Sequence, residues 1–238
     1  MRPLVIAHRG ASGTCPENTL AAFRRATALR ADMIELDVQL TRDGAVVVIH
    51  DFTLERTTDG TGVVREHALA ALRRLDAGSW FGPAFRGERV PTLAETLTAT
   101  PLGLNVELKP VGDDGLEQRA LAVVEAAGAL ERTVFSSFDL SALGRLRGCS
   151  AAAQLALLWE SEAVPEALEW TRRVGARALH LRKDAATPPT LAALTAAGMP
   201  VRVWTVNDQA EMLVLTAAGA EGIFTDHPER FLHFPAGA

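Results

Sequence analysis

The chain has no tyrosine, only two cysteines and no long hydrophobic run. Each shortage excludes something. Cys15 and Cys149 cannot build a disulfide framework, and there is neither a CxxC pair nor a Cys/His spacing suited to zinc. No apolar stretch approaches the roughly 18 residues that a membrane-spanning helix needs. The opening MRPLVIAHRG has too short an apolar run for a secretory signal. A positive excess is missing too. Lys and Arg number 24 against 29 Asp and Glu, and a net charge of −5 argues against broad binding to a nucleic-acid backbone. What remains, 48% apolar and 22% charged residues, is an ordinary globular balance. It reads as a soluble, cytoplasmic protein without a stable membrane anchor. The 238 residues suffice for a large core and suit one barrel-sized domain or two small ones.

What is present is organised around Met33 to Asp51, MIELDVQLTRDGAVVVIHD. Glu35 and Asp37 stand two apart in an apolar, strand-like run, so their side chains share a face. Thr41 to Gly44 reads as a turn, because Asp-Gly takes the backbone angles that a tight reversal needs. Ala45 to Ile49 is a second strand, ending in His50-Asp51. If Asp43-Gly44 is a two-residue hairpin loop, Asp37 faces His50. If the chain instead descends and climbs again in parallel, the carboxylates and His50 meet at one rim. Both arrangements put two acids and an imidazole at the end of a hydrophobic sheet, where charge is costly unless it binds something.

The rest alternates. Strands are expected at Leu4 to Ala7, Gly103 to Leu108, Val134 to Ser137, Ala153 to Leu158, Ala178 to Leu181, Val201 to Val206 and Gly222 to Thr225. Between them, helices are expected at Leu20 to Leu29, Pro91-Thr92 to Thr100, Leu116 to Ala127, Leu140 to Leu146, Pro165 to Val174, Pro189 to Ala197 and Gln209 to Ala218. This predicts the α/β class and a TIM (β/α)8 barrel with a small insertion after the third strand. Nine strands are counted where eight are needed, and the surplus falls in the 33–50 stretch. Residues 1–238 form a single domain in this reading. A polar, Gly-rich segment at about 52–89 is read as a cap that helps select the substrate. It is expected to hold one short helix over Glu66 to Leu75 and to be anchored by Trp80, Phe81 and Phe85.

In such barrels a site is built at the C-terminal strand ends. Those ends carry His8, Arg9, Glu35, Asp37, His50, Glu107, Lys109, Trp204, Asn207 and Asp226. Glu35, Asp37 and Glu107, with no soft ligand beside them, suggest one hard divalent cation held by oxygen. Arg9 and Lys109 would make a pocket for an anion. His8 and His50 suit a general acid/base pair, since imidazole titrates near neutrality. Trp204 is placed as a pocket wall. His67, His180, His227 and His233 are read as structural or surface residues.

Ten short motifs run in order along the chain. They are His8-Arg9-Gly10, Pro16 to Thr19, Ile34 to Val38, Thr41 to Gly44, His50-Asp51, Arg56-Thr57-Thr58, Glu107-Leu108-Lys109, Ser136 to Phe138, Trp204 to Asn207 and Thr225 to Pro228. Together they resemble the glycerophosphodiester phosphodiesterases. The resemblance implies hydrolysis of small-molecule glycerophosphodiesters to sn-glycerol 3-phosphate and an alcohol, with Mg²⁺ or Ca²⁺. It implies that His8 and His50 exchange protons, that Glu35, Asp37 and Glu107 bind the metal, and that Arg9 and Lys109 hold the phosphate. It leaves open which His is the acid and whether water or the glycerol 2-hydroxyl attacks. Hydrolysis of lysophospholipids and binding of a phosphoester without turnover are the competing readings. The chain departs from the family at Arg30, where glycine is common.

Overall fold

A computed structural model describes residues 2–161 and 163–233. Among them, nine strands form and eight close on each other. In chain order the strands are β1 Leu4–Ala7, β2 Met33–Leu40, β3 Val46–Val48, β4 Gly103–Leu108, β5 Thr133–Ser137, β6 Gln154–Trp159, β7 Ala178–Arg182, β8 Val201–Trp204 and β9 Gly222–Thr225. The parallel ring runs β1-β9-β8-β7-β6-β5-β4-β2 and is completed by the pairing of β1 with β2. Helices α1 Leu20–Ala28, α2 Leu69–Leu72, α3 Leu93–Ala99, α4 Leu116–Ala126, α5 Leu140–Cys149, α6 Val164–Arg173, α7 Pro188–Ala196 and α8 Gln209–Ala217 connect the strands. This is the expected TIM barrel with one extra strand. Buried side chains such as Leu36, Val106, Phe135, Leu155 and Leu179 fill the layer between strands and helices. Ile6, Met33, Val134, Ala156, Ala178 and Phe224 fill the barrel's inside. No helix among the described residues is long and apolar enough to cross a membrane.

The surplus strand is β3, and of the two arrangements the hairpin forms. β1 accompanies β2 only as far as Ile34, and the free edge beyond is taken by β3, antiparallel. The register differs by one residue from a two-residue loop. Val38 pairs with Val48 and Leu40 with Val46, so Asp37 is bonded to Ile49, whose amide donates to its carbonyl at 3.0 Å, and not to His50. The cause is the loop, which holds three residues. The Thr41 amide donates to the Ala45 carbonyl at 3.0 Å, and Gly44 takes φ +78°, as three-residue hairpin loops require.

Helix ends follow local chemistry. Thr19, Thr92, Asp139, Thr187 and Asp208 cap the N-termini of α1, α3, α5, α7 and α8 through their side-chain oxygens. Thr92 and Glu95 form the reciprocal capping box that their spacing predicts. At the C-terminal ends of α4, α6, α7 and α8 stand Gly128, Gly175, Gly198 and Gly219, all at positive φ. α1 ends in the same way without a glycine. Arg30 takes φ +57°, its amide bonds Thr27 O, and the Ala31 amide bonds Ala26 O. This is a Schellman closure whose left-handed residue is normally glycine. The departure at Arg30 is therefore a backbone matter, remote from the strand ends.

Residues 52–90 differ from expectation in two respects. The helix predicted over Glu66 to Leu75 shrinks to a 3-10 turn, Val64–Glu66, followed by α2. His67 O accepts from the Arg42 amide, and the Leu69 amide donates to Asp43, which ties this backbone to the hairpin loop and breaks the helix. The anchors are also different. Leu54, Val64, Leu72, Ala77 and Val90 pack on Val47 and Ile49 in a small core of their own. Trp80, Phe81 and Phe85 instead stack edge-to-face in a separate cluster, with Trp80 exposed.

Candidate active site

The two-residue period of β2 puts Glu35 and Asp37 on one face. In the parallel register with β4 they stand beside Asn105 and Glu107. Strand geometry alone thus gathers three carboxylates, with ligand-capable oxygens all within 4.8 Å of one another. Glu35 and Asp37 are 3% and 1% exposed. Glu35 Oε2 accepts from the Arg9 amide at 2.8 Å, and Asp37 Oδ2 from Asn18 Nδ2 at 2.8 Å. The other oxygens, Glu35 Oε1 and Asp37 Oδ1, are buried without a hydrogen bond. Burial, with Asp37 and Glu107 close by, pushes Glu35 well above the usual carboxylate range. Burial and Asp37 push Glu107 up to about 7. Burial works the same way on Asp37, but Arg9, His50, Lys109 and Asn18 hold it below its ordinary value. Crowded oxygens with two orphaned lone-pair sites and no soft donor fit a hard divalent cation.

Two cations flank the cluster. Arg9 Nε lies 3.4 Å from Asp37, and Lys109 Nζ lies 3.7 Å from Asp37 and 3.5 Å from Glu107. Arg9 occupies the left-handed region at φ +54°, directly after β1, which aims its amide at Glu35. Asn18, at φ +56°, sends its amide to the Arg9 carbonyl and its side chain to Asp37. Two non-glycine residues in this conformation at one site mark strain held by the surrounding bonds.

Both candidate histidines are held from behind. His8 Nδ1 pairs with Asp226 Oδ1 at 2.7 Å, and Asp226 accepts from Ser12 Oγ at 3.0 Å and Asn207 Nδ2 at 2.6 Å. His50 Nδ1 pairs with Asp51 Oδ1 at 2.6 Å. Each carboxylate favours the tautomer with the proton on Nδ1, which leaves Nε2 as the acceptor nitrogen. His8 Nε2 lies 4.0 Å from Glu35. Burial lowers the His50 pKa, with Arg9 and Lys109 adding to the effect against the pull of Asp37.

A pocket opens among these groups. Its polar arc carries His8, Arg9, Glu35, His50, Glu107 and Lys109, and its apolar arc carries Phe138, Leu158, Trp204 and Phe224. Trp204 donates its indole N–H to the His180 carbonyl at 2.9 Å and meets Phe138 edge-to-face at 5.6 Å. The pocket lining therefore combines charged groups of both signs with apolar side chains.

The structure brings all eight sequence-predicted residues together. Seven line the pocket, and Asp37 lies in the carboxylate cluster. His180 is fully buried against Phe224, and His227 pairs with Glu229. The His233 side chain lies outside the described residues. Sequence reasoning assigned no role to Asp51, Asp226, Asn18, Asn105 or Phe138. Asp51 was legible as the neighbour of His50, and Asn105 as the residue two before Glu107 on the same face. The Asp226–His8 pairing was not legible, because 218 positions separate the two.

Comparison with known proteins places this geometry. Residues 8–230 match the model of the glycerophosphoryl diester phosphodiesterase family. A glycerophosphodiester phosphodiesterase of Caldanaerobacter subterraneus subsp. tengcongensis is 39% identical, over 98% of both chains. A putative glycerophosphodiester phosphodiesterase of Bacillus subtilis is 37% identical, over 94% of this chain and 95% of the relative. Among solved structures, an Oleispira antarctica phosphodiesterase in complex with its product sn-glycerol 3-phosphate superposes with a TM-score of 0.88 at 34% identity, covering 97% of this chain and 95% of the other. A barrel with this carboxylate cluster, matched from end to end by such relatives, belongs to the glycerophosphoryl diester phosphodiesterase family of hydrolases.

Proposed function

We propose that the pocket hydrolyses glycerophosphodiesters to sn-glycerol 3-phosphate and an alcohol, with His8 and His50 moving the protons and one divalent cation, Mg²⁺ or Ca²⁺, held by Glu35, Asp37 and Glu107. The observation that carries this reading is the convergence of three carboxylates, two cations and two carboxylate-backed imidazoles on one pocket. The solved Oleispira relative with sn-glycerol 3-phosphate bound supports the product. A cation bound there supplies charge neutralisation of a phosphoryl oxygen. Arg9 and Lys109 bind the remaining oxygens and the charge that develops on them. One imidazole takes the proton of the attacking oxygen as the other protonates the departing alcohol. Trp204 and Phe138 pack the carbon skeleton of the substrate. The segment at about 52–89, read as a cap, bears on which alcohol is accepted.

The test is product analysis on a panel. Glycerophosphocholine, glycerophosphoethanolamine, glycerophosphoglycerol and a lysophosphatidylcholine are incubated with the protein after EDTA treatment, and again after Mg²⁺ or Ca²⁺ is restored. The expected result is metal-restored release of sn-glycerol 3-phosphate from the water-soluble diesters. Release of a lysophosphatidate alone would select the lysophospholipid reading, and binding without any product would select the non-catalytic one.

A further inference from the structure

Arg56 belongs to residues 52–90 and to no barrel strand, yet its guanidinium engages two carboxylates at once. Nε and Nη2 donate to Asp51 at 2.6 and 2.9 Å, and Nη1 and Nη2 donate to Glu17 at 2.7 and 2.8 Å. Each carboxylate is also bonded to a residue of the pocket. Asp51 holds His50 Nδ1 at 2.6 Å, and Glu17 accepts from Arg9 Nη1 at 2.9 Å. An unbroken chain thus runs His50–Asp51–Arg56–Glu17–Arg9. Among the described residues the other imidazole has no such link, and Asp226 is steadied by the neutral donors Ser12 and Asn207.

We propose that Arg56 is a positioning residue that sets His50 and Arg9 relative to one another, so that residues 52–90 complete the site as well as cover it. The proposal rests on the reading of His50 as a proton-transfer group and Arg9 as a phosphate ligand. The argument is geometric. A guanidinium is a rigid plane with five donors, and here one plane bonds two carboxylates in fork fashion. An ammonium carries the same charge but cannot fix two carboxylates in a common orientation. The Arg9 guanidinium is shared between Asp37, 3.4 Å from its Nε, and Glu17, which accepts from its Nη1 at 2.9 Å, so the Glu17 side of that balance depends on where Arg56 holds Glu17. The Arg56 side chain is 44% exposed, so its removal opens no core cavity. Its loss frees Asp51 to turn from His50 and Glu17 to turn from Arg9. A displacement of about 1 Å in such groups costs on the order of 10²-fold in rate.

The test combines kinetics on glycerophosphocholine with Mg²⁺ and proton NMR of the His50 ring N–H. Asp51→Asn is expected to lower kcat with little change in KM, and Glu17→Gln to raise KM with little change in kcat. Arg56→Ala should do both, lowering kcat about 10²-fold and raising KM about 10-fold. Arg56→Lys should lie within about threefold of Arg56→Ala, because charge without the fork is insufficient. Arg56→Ala combined with Asp51→Asn should lose less than the product of the two single losses in kcat. The downfield His50 ring N–H signal should vanish in Arg56→Ala while the amide spectrum keeps its dispersion. Full recovery in Arg56→Lys, unchanged kcat and KM in Arg56→Ala, or strictly multiplicative losses would overturn the proposal. The NMR arm needs no turnover. If the wild-type protein hydrolyses nothing, loss of the signal still supports positioning by Arg56 and its persistence refutes it.

Discussion

At the scale of single residues, the site is a cluster of like charges that the fold holds close at some expense. Glu107 titrates at about 7 in the folded chain against an ordinary 4.5. It therefore binds a proton more readily folded than unfolded. The stability this confers is fully present below about 4.5 and is lost as pH rises through about 7. Partly buried His50 and fully buried His180, both lowered, lean the opposite way as pH falls, so the effect is read as a difference between two proteins. In metal-free protein, Glu107→Gln is predicted to stabilise relative to wild type by on the order of 1–2 kcal/mol more at pH 8 than at pH 5.5. Denaturant titrations of both proteins in EDTA check this, and an equal effect at the two pH values would contradict it. Glu35→Gln should abolish divalent-cation binding in a calorimetric titration while leaving the fold intact, because it removes charge and keeps shape. These carboxylates were legible in the sequence from the two-residue strand period and the absence of soft ligands. Their partners were not. The pairings of Asp226 with His8 and of Arg56 with Glu17 join residues 218 and 39 positions apart, which no local pattern records.

At the scale of elements, strand and helix positions were readable because apolar periodicity and capping chemistry agree along most of the chain. The Thr92–Glu95 box and the terminal glycines are cases in point. The misreadings fall where a non-local contact outweighs the local pattern. The hairpin register is set by a third loop residue, and α2 is cut short by its ties to Arg42 and Asp43. α1 offers a direct test of the capping argument. Arg30→Gly should raise stability by roughly 0.5–1 kcal/mol, the left-handed penalty of an L side chain less the added chain entropy of glycine. For a chain of this size that is an increase of about 1–4 °C in Tm. A thermal scan showing a decrease would mean that the Arg30 side chain makes a contribution larger than its backbone cost.

At the scale of the whole molecule, the barrel gathers at one rim what the sequence distributes from His8 to Asp226. Eight parallel strands end at the same face, and the pocket is lined by residues of those strands and of the segments that follow them, joined by His50 after β3. That convergence was predictable from alternation and length alone, since parallel βα units leave few other closures. The internal packing of residues 52–90 on β3 was not, because its small core is shared with a strand. The central claim is that two imidazoles, one after β1 and one after β3, serve one reaction at the carboxylate cluster. The most direct measurement is the rate of sn-glycerol 3-phosphate release from glycerophosphocholine by wild type, His8→Ala, His50→Ala and the double variant, at saturating Mg²⁺. Each single variant should lose about 10²–10⁴-fold in kcat, and the double variant should lose far less than the product of the two. Near-wild-type turnover in both single variants, with metal bound, would contradict the account.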